Sequence, residues 1–195
     1  MNPRTEKQLK KVREKSRRSI MDAAIELFAV NGYHTTSIDK IAKKAKISKG
    51  LIYNYFKSKD DLLEAVIFDK AGEFSVGLVE MEKIKDPGKK LQKLIELYFD
   101  DSIKEAAYMR FYWSMILHPK MPKKINEKLL NFMEGYIAQM EVMLKNNNIP
   151  NPKIEAYLLA SSMDASSMMY SYAGERYPME AIKQQLINKY CKKEG

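Results

Sequence analysis

The sequence predicts an all-α protein of about nine helices, with a three-helix N-terminal domain over residues 1–57 and a larger helical domain over residues 58–195. Three observations carry this. No run of alternating apolar and polar residues bounded by turn signals reads as a strand, whereas apolar residues recur at intervals of three and four. Helix-breaking signals fall at helix-length intervals: Asn31-Gly32, Lys46-Ile47-Ser48, Lys57-Ser58, Asp86-Pro87-Gly88, His118-Pro119 with Pro122, Asn146 to Pro152, and Tyr177-Pro178. Charge divides the chain as well. Residues 1–60 hold 15 Lys and Arg against 6 Asp and Glu, while residues 61–195 hold 19 of each, so the whole net charge of +9 sits in the first third.

The first helix is expected from about Arg13 to Val30, with Ile20, Ala23, Ala24, Leu27 and Phe28 on one face. Gly32 closes it, because glycine tolerates the left-handed conformation of a helix C-terminus. A second helix of about two turns follows, opened by Thr36 or Ser37 as N-cap and buried through Ile38, Ile41, Ala42 and Ala45. Ser48 caps a third, Lys49 to Tyr55, with Ile52 and Phe56 facing inward. Such short helices are marginal alone, so three in a row make sense only as a mutually packed unit. Ser58-Lys59-Asp60-Asp61 then forms a capping box with acidic residues at the positive helix end, opening a long fourth helix to about Glu82.

Composition excludes several classes. A single cysteine, Cys191, offers neither a disulfide framework nor a cysteine-based metal site, and suits a reducing, cytoplasmic home. The longest nearly uncharged run, Leu158 to Gly174, is interrupted by Asp164 and serines, and no apolar segment follows the basic N-terminus, so neither membrane spanning nor export is expected. Two histidines, His34 and His118, stand in predicted loops, with no catalytic-triad spacing, phosphate loop or zinc signature around them. No enzyme activity, cofactor or metal is therefore expected. The basic first third points to a polyanion partner. A solvated basic tail would give the same charge count.

One string is more specific. Ile20, Ala23-Ala24, Leu27-Phe28, Gly32-Tyr33, Thr35-Thr36-Ser37-Ile38, Ile41-Ala42, Ala45, Ile47-Ser48, Gly50, Ile52-Tyr53, Tyr55-Phe56, Lys59 and Leu62, at these spacings, closely resemble the N-terminal signature of the TetR family. The resemblance covers roughly residues 15–65 and implies a helix-turn-helix that enters the major groove of a double-stranded DNA operator. It departs at Lys46, where glycine is common in the turn, and at Leu51, which is more often small or polar. Either the turn at Lys46 is of another type, or some strain is tolerated there.

The residues fit that geometry one by one. The third helix begins at Ser48, and the N-terminal residues of such a helix meet base edges. Lys49 can donate to guanine or phosphate, Asn54 can pair with adenine, Gly50 permits close backbone approach, and Leu51 offers a surface to a thymine methyl. Tyr53, Tyr55 and Lys59 are placed for phosphate oxygens, and Thr36 and Ser37 with the free N–H groups of the second helix for another. Tyr53 and Tyr55 could equally be core aromatics. Residues 1–18, with eight Lys and Arg against two Glu, read either as an arm reaching the minor groove or as an extension of the first helix.

Behind this domain, Tyr108 to Leu117 is apolar nearly all round and reads as a helix buried in the second domain. Tyr108, Trp113, Phe132, Met133, Tyr136, Met140, Met163 and Met169 are the candidates to line a pocket for an unidentified small-molecule effector, against the simpler reading that they are core. Around Asp164, the small residues Ala156, Ala160, Ser161, Ser162, Ala165, Ser166 and Ser167 allow close helix approach. This helix and the last one, Pro178 to Lys192, resemble the pair that makes the homodimer interface of the family. Ala160, Ser161, Asp164, Ala165, Met168, Tyr172, Ile182 and Leu186 are the candidate contacts. Asp164 could meet a cationic effector, bond across the dimer seam, or face water. A twofold dimer would set two reading helices about 34–36 Å apart on a pseudo-palindromic site. The resemblance makes repression the default, with an effector tilting the fourth helix to release DNA.

Overall fold

The computed structural model describes residues 6–81 and 83–191, with the side chains of residues 7 and 70–80 outside the description. Among the described residues there are nine α-helices, one 3-10 turn and no strand. The helices are α1 (Glu6–Asn31), α2 (Ile38–Ala45), α3 (Lys49–Tyr53), α4 (Lys59–Met81), α5 (Pro87–Lys104), α6 (Ala106–Ile116), α7 (Lys123–Asn146), α8 (Pro152–Ala173) and α9 (Met179–Cys191). The expected ends at Glu82 and Lys192 lie outside the described residues. The chain divides into two compact units, Met1–Lys70 and Ala71–Gly195.

In the first unit, α1, α2 and α3 bury one apolar face each. Ile20, Ala24, Phe28, Ile41, Ile52 and Phe56 are sealed together with Leu62, Leu63 and Val66 of α4. Gly32, at φ +79°, ends α1 through a bond from its N–H to the Phe28 carbonyl. Ser37 is the N-cap of α2, accepting from the Lys40 N–H at 3.3 Å, and Ser48 caps α3 by accepting from Leu51 at 3.2 Å. At the start of α4, Ser58 Oγ accepts from the Asp61 N–H at 3.0 Å, while the Asp61 carboxylate reaches back to the N–H of Lys57 rather than that of Ser58. The basic N-terminal segment is an extension of α1 from Glu6 onward, so the minor-groove arm is not its form there; residues 1–5 lie outside the description. Arg17 and Arg18 of this extension hold Asp69 of α4 at 3.0 and 3.5 Å.

The turn between α2 and α3 resolves the alternative at Lys46 in favour of strain. Lys46 adopts the left-handed region at φ 56°, ψ 42°, and the N–H groups of Lys46 and Ile47 close the helix on the carbonyls of Lys43 and Ala42.

In the second unit α8 is central, packed against α5, α6, α7 and α9. Leu91, Leu94, Ile95 and Phe99 of α5 meet Ile137, Met140 and Leu144 of α7, Leu159, Ala160 and Met163 of α8, and Ile187 and Tyr190 of α9 in one core. Asp86 caps α5 by accepting from the Lys89 N–H at 2.8 Å, ahead of Pro87 in the first turn. The break between α5 and α6 at Glu105 carries no glycine or proline and is absent from the expected stops. The serines of α8 that would weaken a helix bond their own backbone. Ser162 and Ser166 donate to carbonyls four residues back and Ser171 to one three residues back, each at 2.7 Å.

The left-handed lysine gives a direct test. Lys46→Gly removes a conformational cost of about 1 kcal/mol but gains unfolded-state entropy, so net stabilisation of up to about 1 kcal/mol is expected in urea denaturation. A loss of stability would show that the Lys46 side chain contributes more than the strain costs.

Candidate nucleic-acid interface

The surface around α3 is built from the caps outward. With Ile52 buried to the last square ångström and Phe56 nearly so, the orientation of the five-residue helix is fixed, and Lys49, Gly50, Tyr53 and Asn54 are left exposed with Leu51 half-buried. Tyr53, 48% exposed, is therefore not a core aromatic. Gly50 stands in open space: a β-carbon there would meet nothing within 4 Å. No contact inside the chain accounts for glycine at this position. Lys49 bonds Asp39 of α2 at 2.9 Å, and that carboxylate holds the ammonium pKa above its ordinary value. Both side chains are more than half exposed, so the pair is screened and weak. Asp39 was not among the sequence candidates; its place in the first turn of α2, one turn before the reading helix, is the only signal that could have found it.

Tyr55 is half-buried, with the Arg13 guanidinium 5.9 Å over its ring, just as Arg17 lies 5.6 Å over Phe56. Two expected phosphate contacts need correcting. Thr36 is 1% exposed, and its hydroxyl donates to the carbonyls of Gly32 at 2.8 Å and Leu27 at 3.3 Å, so it ties the turn together instead of reaching outward. Lys59 does the same from α4. Its ammonium donates to the carbonyls of Tyr33 at 3.0 Å, Thr36 at 3.1 Å and His34 at 3.5 Å, and sits 4.3 Å from the centre of the Tyr33 ring. With three protons used on three carbonyls it is a structural clamp. The Tyr33 hydroxyl bonds Asp60, and burial together with that carboxylate pushes its pKa up. Ser37 is exposed beside the α2 N-terminus and remains placed for an anion.

In the second unit the effector candidates separate into three groups. Tyr108, Met140 and Met163 are sealed in the core. Phe132, Met133 and Met169 face outward, at 43, 47 and 40% exposure, so they do not line the interior of this unit. Only Trp113 and Tyr136 lie half-buried, near Asp164. Asp164 does not face water: its carboxylate accepts from the Tyr98 hydroxyl of α5 at 2.5 Å, and burial raises its pKa, with the Tyr98 bond working against the rise. The dimer candidates divide as well. Ala160 is buried in the unit's own core and Ile182 and Leu186 pack against it, so these three and Asp164 are committed within the subunit. Ser161, Ala165, Met168 and Tyr172 are exposed on one face of α8, continued by Leu158 and Ile154. The intervals from 154 to 172 run four, three, four, three, four, the seam spacing of helix pairs.

A short helix presenting a bare glycine, a lysine and a tyrosine from a capped three-helix unit is the arrangement of a helix-turn-helix DNA-binding domain. Residues 20–66 match the model of the bacterial regulatory proteins of the tetR family, and the N-terminal domain of this chain belongs to that family. The fatty acid metabolism regulator protein of Bacillus subtilis (strain 168) is 35% identical over 129 residues, covering 62% of this chain and 65% of that protein, just under two thirds of its length. The solved structures of the fatty acid degradation regulator FadR from Bacillus halodurans and of FadR from Bacillus subtilis in complex with stearoyl-CoA share the fold. Their TM-scores are 0.79 and 0.77 at 20 and 21% identity, covering 90 and 89% of this chain and 94 and 97% of theirs. Among the described residues no helix is long and apolar enough to cross a membrane, and no cluster of three metal-ligating side chains occurs.

Asp164 has a consequence for stability. Its folded pKa lies above the unfolded value of about 3.9, so folding takes up protons. Its contribution is greatest below that unfolded value and is lost as pH rises through the folded pKa. Asp164→Asn is therefore expected to raise the melting temperature at neutral pH and to flatten the pH dependence between acid and neutral. Parallel wild-type and variant curves would show that the carboxylate is hydrated after all.

Proposed function

We propose that this chain is a sequence-specific transcriptional regulator, acting as a homodimer on a pseudo-palindromic operator and, as a repressor, released by a small-molecule effector bound in the second unit. The observation that carries the reading is the surface of α3, where Lys49, Gly50, Tyr53 and Asn54 are exposed and the glycine has no reason inside the chain. Leu51, Ser48, Tyr55 and Ser37 border them as base-methyl and phosphate contacts. The family of the N-terminal domain supports the class. The stearoyl-CoA bound to FadR of Bacillus subtilis and the triclosan bound to SmeT, whose fold is shared at a TM-score of 0.75, show that proteins of this fold accept small molecules.

The exposed seam of α8 supports the dimer. A water-facing helix rarely carries Ile, Leu, Met and Tyr at heptad intervals with serine and alanine between them unless a second helix covers them. A second copy places the same seam opposite itself around a twofold axis. The small residues at the centre let the two helices approach closely. α4 is continuous in sequence between the two units, which makes it the element through which an effector would act on the reader.

Two measurements test this. Fluorescence anisotropy against random and selected palindromic duplexes, at two salt concentrations, should give a salt-steep and sequence-selective affinity that Lys49→Ala with Tyr53→Ala abolishes. Gly50→Ala should stabilise α3 by up to about 1 kcal/mol and still weaken operator binding, separating fold from function. Binding that survives in the double variant would reduce the surface to a general polyanion patch. Light scattering should find a dimer that Leu158→Glu converts to monomer; a monomeric wild type would remove the twofold operator geometry.

A further inference from the structure

Four helices of the second unit bring their polar side chains to one place. Asp164 of α8 accepts from Tyr98 of α5 at 2.5 Å. Tyr112 of α6 and Tyr136 of α7 lie within its electrostatic reach, since the negative charge of Asp164 adds to burial in pushing both phenol pKa values up. The wall continues along α6. Tyr108 stacks on Tyr112 with centroids 6.0 Å apart, Trp113 meets Tyr112 edge-on at 5.1 Å, and the Trp113 indole N–H donates to Ser167 of α8 at 3.4 Å, one turn beyond Asp164.

We propose that this nest recognises the effector and that the effector is an organic cation, an amine or quaternary ammonium carried on an apolar body. The inference rests on the regulator reading above for its consequence, but its chemistry stands on the nest alone.

A carboxylate drawn out of water among aromatic rings needs a counter-charge. Among the described residues no Lys, Arg or His pairs with Asp164. Arg110, the cation of α6, donates its Nε to the Ser171 carbonyl at 3.0 Å, seven residues or about 10 Å further along α8. Tyr98 supplies one hydrogen bond to Oδ1 and no charge. The ring faces of Tyr112, Tyr136 and Trp113 present the negative side of their quadrupoles to whatever enters, and a cation beside a carboxylate gains from both. An anionic head group would meet repulsion from Asp164, and a neutral one would leave its charge uncompensated.

The nest is also open. Tyr98, Tyr112, Trp113, Tyr136 and Asp164 each keep some accessible surface, while Phe99, Phe111, Met140 and Met163, their neighbours on the same helices, are sealed. A core polar network kept only for packing would be closed like those neighbours. The apolar residues around it offer the body of an amphiphilic ligand the burial that its head group does not need.

The test uses the full chain and two probes of equal length and opposite charge, decyltrimethylammonium and decanoate, below their micelle concentrations and near neutral pH, by isothermal titration calorimetry. The cation should bind at least roughly tenfold more tightly than the anion. Asp164→Asn should bring the two within about twofold of one another. Tyr112→Leu should weaken the cation and leave decanoate unchanged, while Tyr112→Phe retains the cation, so the test stands even where the Asp164 variant fails to fold. Equal or tighter decanoate binding by the wild type, or a cation preference that persists in Asp164→Asn, overturns the proposal. Effector-free duplex selection is read separately. A chain that selects an operator and shows no preference for the cation loses this inference alone, and one that prefers the cation and selects no DNA loses the regulator reading alone.

Discussion

Everything at the DNA-facing end depends on the Lys59 ammonium beneath the α1–α2 loop. Helices of eight and five residues cannot hold their own geometry in water. Burial of Ile38, Ile41 and Ile52 fixes which faces turn inward, but not the path of the loop that delivers them. Three loop carbonyls converge on Lys59, the Thr36 hydroxyl reaches back to two more, and Tyr33 joins Asp60 across the same space. Because the clamp comes from the start of α4, that helix cannot shift at its N-terminus without disturbing the loop. A motion of α4 is thus a motion of the reader.

The second unit follows the opposite rule. Its core is large and almost wholly apolar, and α8 holds the centre. The polar groups within it are few and fall into two kinds. Glu155, Lys189 and the Tyr190 hydroxyl form a peripheral clasp between α8 and α9, with bonds of 2.6 and 3.0 Å and a counter-charge for the carboxylate. Asp164 has a hydroxyl and no counter-charge among the described residues. The two carboxylates move in opposite directions as a result: Glu155 falls below its ordinary pKa through its bonds to Tyr190 and Lys189, while Asp164 rises through burial.

Much of the fold was legible because its signals are local. Gly32 past α1, Ser37 and Ser48 before α2 and α3, and Asp86-Pro87 before α5 each state a helix end in one or two residues, and each end is found there. The α5–α6 break at Glu105 was not legible, because nothing in the local chemistry forbids a continuous helix through it. The candidate site was legible where solvent exposure follows from helical spacing, as for Lys49, Gly50 and Tyr53. It failed where a polar residue had a partner far along the chain. Lys59 and Thr36 look like phosphate ligands until the carbonyls of the α1–α2 loop are seen around them, and Asp164 looks solvated until Tyr98, 66 residues away, is found against it. For Phe132 and Met133 the composition pointed inward, and the face of α7 on which they fall turned them out.

The ion pair between Lys49 and Asp39 has a thermodynamic side. A lysine that already holds a carboxylate does not arrive at a phosphate as a bare charge; it trades one anion for another, and the carboxylate it leaves behind stands next to the DNA backbone. Added salt weakens the bond being broken as well as the bond being made. The ionic-strength dependence of binding therefore undercounts this lysine, and a tally of phosphate contacts drawn from a salt titration would come out lower than the number of cations that touch the duplex.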